Sequence, residues 1–196
     1  MEKQYDNECK SLGVMIDVSR NGVMKVEELK RFALIVKEMG YDNIGLYMED
    51  TYEITGEPYF GHLRGRYSKA ELKEINDYMK SIGMIAIPYI QTLAHLKTLF
   101  QWNEYKDIKD INDILLVDDP KTYALIDKMF STLRECFDTE KINIGMDEAF
   151  MVGLGKYAKT HGYPKDKVAV LYGHLTKVLA IAKKYVYAFT LVALMK

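Results

Sequence analysis

Cysteine, proline and tryptophan are scarce in this 196-residue chain, numbering two, four and one. Cys9 and Cys136 make neither a metal-ligand spacing nor a disulfide framework, so a reducing, cytoplasmic setting is expected. No excess of charge exists either. The 27 basic and 28 acidic side chains leave a net charge of −1, which gives no footprint for nucleic acid. The segment from Met1 to Lys10 is polar and lacks the apolar core of a signal peptide. The longest apolar run, Tyr185 to Met195, is about half of the roughly 20 residues that a membrane-spanning helix needs. It is expected to be a buried strand, a core segment or a contact surface, and no membrane partner is expected.

What is present is an ordinary globular composition, 48% apolar and 28% charged, long enough for one core and too short for two large domains. Fifteen tyrosines and seven phenylalanines are many, but aromatic residues serve cores as well as carbohydrate sites, and they carry little weight here.

Strand and helix patterns alternate throughout. GVMIDV (Gly13 to Val18) reads as a first strand. Helical spacing follows from Lys25 to Met39, with apolar residues at Val26, Leu29, Phe32, Ala33 and Val36, and Gly40 ends it. NIGLYM (Asn43 to Met48) is the second strand. Ser68 and Glu71 form a capping box that opens a helix through Ile82, closed by Gly83. MIAIPYI (Met84 to Ile90) is the third strand, and Pro88 predicts a strand end or a sheet edge there. Gln91 to Val117 reads as a long irregular stretch with a short helical turn near Leu96. Asp119 and Pro120 start a helix to about Phe137. KINIGM (Lys141 to Met146) is the fourth strand, and Asp166 to Lys184 is helical.

Successive βα units imply parallel strands joined by right-handed crossovers. Two architectures are then open, a doubly wound sheet and a TIM-type (β/α) barrel. The first wants a glycine-rich phosphate turn after the first strand. Ser19-Arg20-Asn21-Gly22 stands there instead, with one glycine and an arginine, so the nucleotide reading is weak. A barrel places its chemistry at the C-terminal strand ends. Polar residues stand there: Asp17, Ser19 and Arg20, then Glu49 and Asp50, Gln91 and His95, and Asp147 and Glu148. Loops are polar for solvation too, which weakens this feature taken alone.

Asp147-Glu148 directly follows an apolar strand. Alternation along a strand makes neighbours point apart. The two acids therefore reach awkwardly the separations of about 5 Å or about 6.5–9.5 Å that paired glycosidase carboxylates use. They fit a division of labour instead: one protonates a leaving oxygen while the other holds a group beside it. Acids at a helix N-terminus are the bland alternative. Arg20 can fork onto two vicinal hydroxyls, or form a structural ion pair with Asp17 or Asp50. His95 can bond a hydroxyl or carboxylate, although a lone histidine is more often structural. Burial beside the long loop is the expected role of Trp102.

Several segments together resemble family 20 glycoside hydrolases, the β-N-acetylhexosaminidases. Gly13-Val-Met-Ile-Asp-Val-Ser-Arg20 is similar to their first-strand motif. Ile144-Gly-Met-Asp-Glu148 is similar to their glycine-x-aspartate-glutamate motif, and Ile87-Pro-Tyr-Ile-Gln-Thr-Leu-Ala-His95 to their third-strand segment. Leu46 to Ile54 and Pro58 to Tyr67 look like the second-strand loop of a bacterial exo-acting branch. The match runs in order from Leu12 to Lys184.

The resemblance implies exo-acting, substrate-assisted, retaining hydrolysis of terminal N-acetylglucosamine or N-acetylgalactosamine, in which the substrate's own 2-acetamido oxygen is the nucleophile. Glu148 would be the general acid and then the base. Asp147 would orient the acetamido nitrogen, and Arg20 would bind the 3- and 4-hydroxyls. His95 and Asp50 would be supporting substrate-binding groups. No metal or organic cofactor is implied. N-acetylhexosamine-terminated glycans are the implied partners.

The chain departs from the family in extent. Residues 1–196 hold room for about four or five βα units, against about 250 residues for a typical barrel. Tyr185 to Lys196 lacks the tryptophan-containing fifth-strand pattern. A single, partial barrel domain is therefore expected, with exposed sheet edges that favour a homodimer. The alternative function is a truncated, inactive half barrel that self-associates or weakly binds sugar. A barrel hydrolase with unrelated chemistry is a third reading.

Overall fold

The computed structural model describes residues 11–20 and 22–190. Five parallel strands make the main sheet: β1 (Gly13–Asp17), β2 (Asn43–Glu49), β3 (Ile85–Ile90), β6 (Lys141–Asn143) and β7 (Ala188–Thr190). They stand side by side in chain order. That order never reverses, so the crevice of a doubly wound sheet, which forms where strand order reverses, does not arise. The remaining strands, β4 (Lys109–Ile111) and β5 (Ile114–Leu115), form a small antiparallel hairpin between β3 and α3.

Helices cover one face. α1 (Val26–Glu38) buries Leu29, Ala33 and Val36, one stripe at helical spacing. α2 (Lys69–Ser81) carries the expected capping box: the Ser68 side chain accepts from the Glu71 N–H, and the Glu71 side chain accepts from the Ser68 N–H. α3 (Pro120–Cys136) starts with Pro120 in its first turn under the Asp119 cap. α4 (Lys156–His161) is short, and α5 (Lys167–Lys184) is capped by Asp166. The core between sheet and helices holds Ile44, Leu46, Met48, Ala86, Ile90 and Ile142 from the strands and Ile144 just after β6, with Leu72, Met79, Ile126, Phe130 and Val178 from the helices. Each such large apolar side chain contributes about 1.5–3 kcal/mol by leaving water.

Strand alternation sends the other residues to the opposite face. The register sets Asp17, Tyr47, Tyr89 and Asn143 in one row across four strands, with Met15, Gly45 and Ile87 in the row below. This face is less covered: Met15 is 56% exposed and Ile85 41%.

Three expectations change. Pro88 lies within a central strand, paired with Leu46 on β2. Its missing N–H is tolerated beside the thinnest ladder in the sheet, since β3 and β6 share the single pair Tyr89–Asn143. The fourth strand ends at Asn143 rather than Met146, because Gly145 and Met146 take left-handed φ angles of 69° and 78°. The stretch after β3 is ordered by two 3₁₀ turns, Leu99–Gln101 and Asn103–Tyr105, and by the β4–β5 hairpin. The run from Tyr185 supplies β7, while residues 191–196, like Cys9 and Asn21, lie outside the described residues. Cys136 is a buried free thiol. Among the described residues no helix is long and apolar enough to cross a membrane.

Candidate active site

The uncovered face and the C-terminal ends of β1, β2, β3 and β6 enclose a cavity of about 200 Å³ lined by Met15, Asp17, Arg20, Tyr47, Tyr89, Gln91, Asn143 and Asp147. Gly45 makes room for it, since a Cβ there would lie 2.7 Å from the Tyr89 ring. Asp147, Glu148 and His95 meet at one side. His95 Nε2 stands 3.4 Å from Asp147 Oδ2 and 3.8 Å from Glu148 Oε2. Strand alternation predicts that the two neighbouring acids point apart. They reach one imidazole because the strand has already ended, and Met146 and Glu148 turn the chain with φ of 78° and 54°. His95 and Glu49 also have positive φ, 59° and 47°. Four non-glycine residues in this sparsely populated region thus cluster at one place, which is where backbone strain is commonly stored for function.

Asp147 is held tightly. Its Oδ1 accepts a hydrogen bond of 2.9 Å from Gln91 Nε2. The His95 contact, assisted by Gln91 and opposed by burial, holds the Asp147 carboxyl down at about 2. The same contact raises the His95 pKa. Glu148 is more open, with 62% of its side chain exposed.

Arg20 stands on the opposite wall. Its guanidinium carbon sits 5.3 Å from the centre of the Tyr47 ring, and its Nη1 lies 3.5 Å from Asp17 Oδ2. Burial would raise the Asp17 carboxyl, but hydrogen bonds from the Ser19 N–H, the Ser19 hydroxyl and the Arg20 N–H outweigh it and lower the pKa.

Asp50 sits elsewhere. Expected as a substrate-binding group at the mouth, it is 1% exposed and, like His95 and Glu148, is not among the residues lining the cavity. Its Oδ1 lies 3.0 Å from Arg64 Nη1, and both carboxylate oxygens accept from Thr98 Oγ1 at 3.3 Å. Burial raises its pKa against the pull of Arg64. Arg64 also donates to the Ser19 carbonyl and to Thr98 Oγ1, so it ties together the loops after β1, β2 and β3. Glu49, next in the chain, does reach the site, where it accepts from the Tyr47 hydroxyl at 3.2 Å. Burial raises the Glu49 pKa.

Sequence reasoning overlooked Tyr47, Tyr89 and Asn143 as cavity residues. Alternation within each strand was the available signal, while the register that sets these residues in one row with Asp17 comes from the pairing of the strands. Arg64 could not be found this way, because its place depends on how a long loop folds back. Trp102 packs beside that loop against Tyr59 and His62, with ring centroids 5.3 and 5.0 Å apart, rather than lining the cavity. Among the described residues no three His, Cys, Asp or Glu side chains gather as a metal site.

Comparison with known proteins points one way. No family model matches the chain. Human Hexosaminidase D is 21% identical over 139 residues, which span 69% of this chain and 29% of that protein. A β-N-acetylhexosaminidase crystal structure superposes with a TM-score of 0.79 at 18% identity, covering 93% of this chain and 46% of that one. The GH20 exo β-N-acetylglucosaminidase from Vibrio harveyi gives a TM-score of 0.77 at 17% identity, covering 92% of this chain and 35% of that one. Streptomyces plicatus N-acetyl-β-hexosaminidase gives 0.73 at 20%, covering 93% and 38%. The chain spans less than half the length of each of these relatives. Its parallel α/β fold is that of part of the family 20 β-N-acetylhexosaminidases, the family that its motifs resemble.

Proposed function

We propose that this chain supplies the first five strands of a (β/α)8 barrel and the acid side of a β-N-acetylhexosaminidase site. The observation that carries the reading is the convergence of Asp147 and Glu148 on His95, at 3.4 and 3.8 Å, beside a cavity that Asp147 lines together with Arg20. The substrate is a glycan ending in N-acetylglucosamine or N-acetylgalactosamine. Arg20 forks onto the 3- and 4-hydroxyls of the terminal sugar. Asp147, ionised, accepts from the acetamido N–H and stabilises the positive charge that grows on that amide as its oxygen attacks the anomeric carbon. Glu148, the more exposed acid, protonates the departing oxygen and then takes a proton from the water that opens the oxazolinium ring. Because the substrate brings its own nucleophile, one acid–base residue and one orienting carboxylate suffice, and no cofactor is required. His95 supports both acids. Asp50 acts from beneath, by holding Arg64. A cytoplasmic setting without membrane or nucleic-acid partners is part of the proposal, in keeping with the two cysteines and the balanced charge of the sequence.

Glu148→Gln removes the proton donor and keeps the shape. It should abolish release from an aryl N-acetylglucosaminide while sugar binding persists, measured on this chain and on a version carrying all eight strands. Retained turnover in either would sink the assignment.

A second reading rests on the exposure of Met15 and Ile85 on the cavity face. In it this chain alone turns nothing over and covers that face with a second copy, retaining weak sugar binding. A monodisperse monomer in light scattering at high concentration contradicts this second reading.

A further inference from the structure

Gln91 is fully buried at the end of β3, where a solvated glutamine has no business unless its amide is used. Every polar atom of that amide has a partner. Its Oε1 accepts the Met146 backbone N–H at 3.2 Å. A backbone N–H can only donate, so this contact fixes which end of the amide is oxygen and which is nitrogen. The Nε2 end then holds two hydrogens, and two acceptors stand before it: Asp147 Oδ1 at 2.9 Å and the Tyr47 hydroxyl oxygen at 3.1 Å. Tyr47, having accepted, passes its own hydrogen to Glu49 Oε1 at 3.2 Å. The directions of the three bonds that the Gln91 amide makes are therefore determined. The backbone is shaped to admit it, because a Cβ on Gly145 would overlap Gln91 Oε1.

We infer that Gln91 is the positioning residue of Asp147. It pins Oδ1, leaves Oδ2 to His95 and the incoming acetamido group, and joins the acid side of the cavity to the Arg20 side through Tyr47. It stands at the cavity wall, but both ends of its amide are already bonded within the protein, so it acts through Asp147. The inference rests on the proposed role of Asp147 for its meaning in catalysis, but its structural content stands without that role.

The test reads His95, which faces Asp147 and Glu148 through Nε2 and also lies near Glu49 and Asp113. Its ring is titrated by NMR in the wild type, Gln91→Met, Gln91→Asn and Asp147→Asn. Gln91→Met keeps the volume and removes both donations. Gln91→Asn keeps an amide that is one methylene too short to span Met146 and Asp147, and serves if the first variant does not fold. Asp147→Asn should lower the His95 pKa most. Either Gln91 variant should lower it part of the way, because the freed carboxylate swings off the ring. A titration that is unchanged, or raised, in a folded Gln91 variant overturns the inference.

A second arm compares binding of N-acetylglucosamine with that of glucose. Gln91→Met should cut the preference for the acetamido sugar by about tenfold, the cost of roughly one charge-assisted hydrogen bond, with glucose unaffected. Absence of any preference in the wild type would count against the hexosaminidase reading and leave the Gln91 inference to the titration. A preference lost in Asp147→Asn but intact in Gln91→Met would overturn the inference alone.

Discussion

Asp147 Oδ2 lies 3.4 Å from His95 Nε2, and the two groups shift each other in opposite directions: the carboxyl down to about 2, the imidazole up. Both shifts favour the ionised pair, and they bound the pH range in which it stabilises the fold. The Asp147 contribution is present above the ordinary carboxyl value near 4 and is lost as pH falls through about 2. The His95 contribution is present below about 6.5 and is lost as pH rises through its raised value. The Asp147 side chain is 32% exposed, so solvent screening reduces the effect to roughly 1 kcal/mol. Unfolding free energies of the wild type and Asp147→Asn, compared from pH 2 to 8, should differ most between about 4 and 6.5 and converge in acid. A constant difference across that range would remove the pair from the account.

His174 titrates in a separate window. It is wholly buried, with Nε2 against the Thr92 carbonyl at 2.8 Å and Nδ1 against the Tyr123 hydroxyl at 3.1 Å. Burial pushes its pKa down to about 4, so the folded state refuses a proton that the unfolded chain accepts. Stability should therefore fall as pH drops from about 6.5 to about 4, by at most roughly 3 kcal/mol. Thermal unfolding of His174→Gln, which cannot titrate, should lack this acid slope. An unchanged slope would place the acid sensitivity elsewhere.

Arg64 and Asp50 form a buried pair in which each justifies the other. Arg64→Met leaves a carboxylate with 1% exposure to Thr98 alone and should cost about 3–5 kcal/mol in denaturant unfolding. The double variant Arg64→Met with Asp50→Asn should recover part of that loss. Equal losses in single and double variants would show that Arg64 acts through packing or its other bonds rather than through Asp50.

Gly45 and Tyr89 meet on the cavity face, where an added Cβ falls 2.7 Å from the ring. Gly45→Ala should cost about 1–3 kcal/mol through overpacking, and the Tyr89 ring resonances should shift as the ring leaves the cavity wall. A neutral substitution would mean the ring is free to move.

The order of strands and helices was legible because it rests on local chemistry: alternation in Asn43 to Met48, the Ser68–Glu71 box and the Asp119–Pro120 start each speak for a few neighbouring residues. Pairing partners were not legible. Pro88 violates the edge rule because its tolerance depends on how little β6 pairs with β3. The meeting of Asp147 and Glu148 on one ring contradicts strand alternation because Met146 and Glu148 leave the strand conformation, which their side chains do not announce. Asp50 and Glu49 are adjacent acids of similar chemistry. The fold-back of Arg64 and Thr98 sets Asp50 under the loops, while Glu49 accepts from Tyr47, which lines the cavity.

The central claim is that this carboxylate pair serves a substrate that carries its own nucleophile. Rates of aryl release from a 2-acetamido-2-deoxyglucoside and from the matching plain glucoside, on this chain and on an eight-stranded version, test it most directly. The account predicts that whatever turnover is seen requires the acetamido group and disappears in both Glu148→Gln and Asp147→Asn. Comparable hydrolysis of the plain glucoside would contradict it.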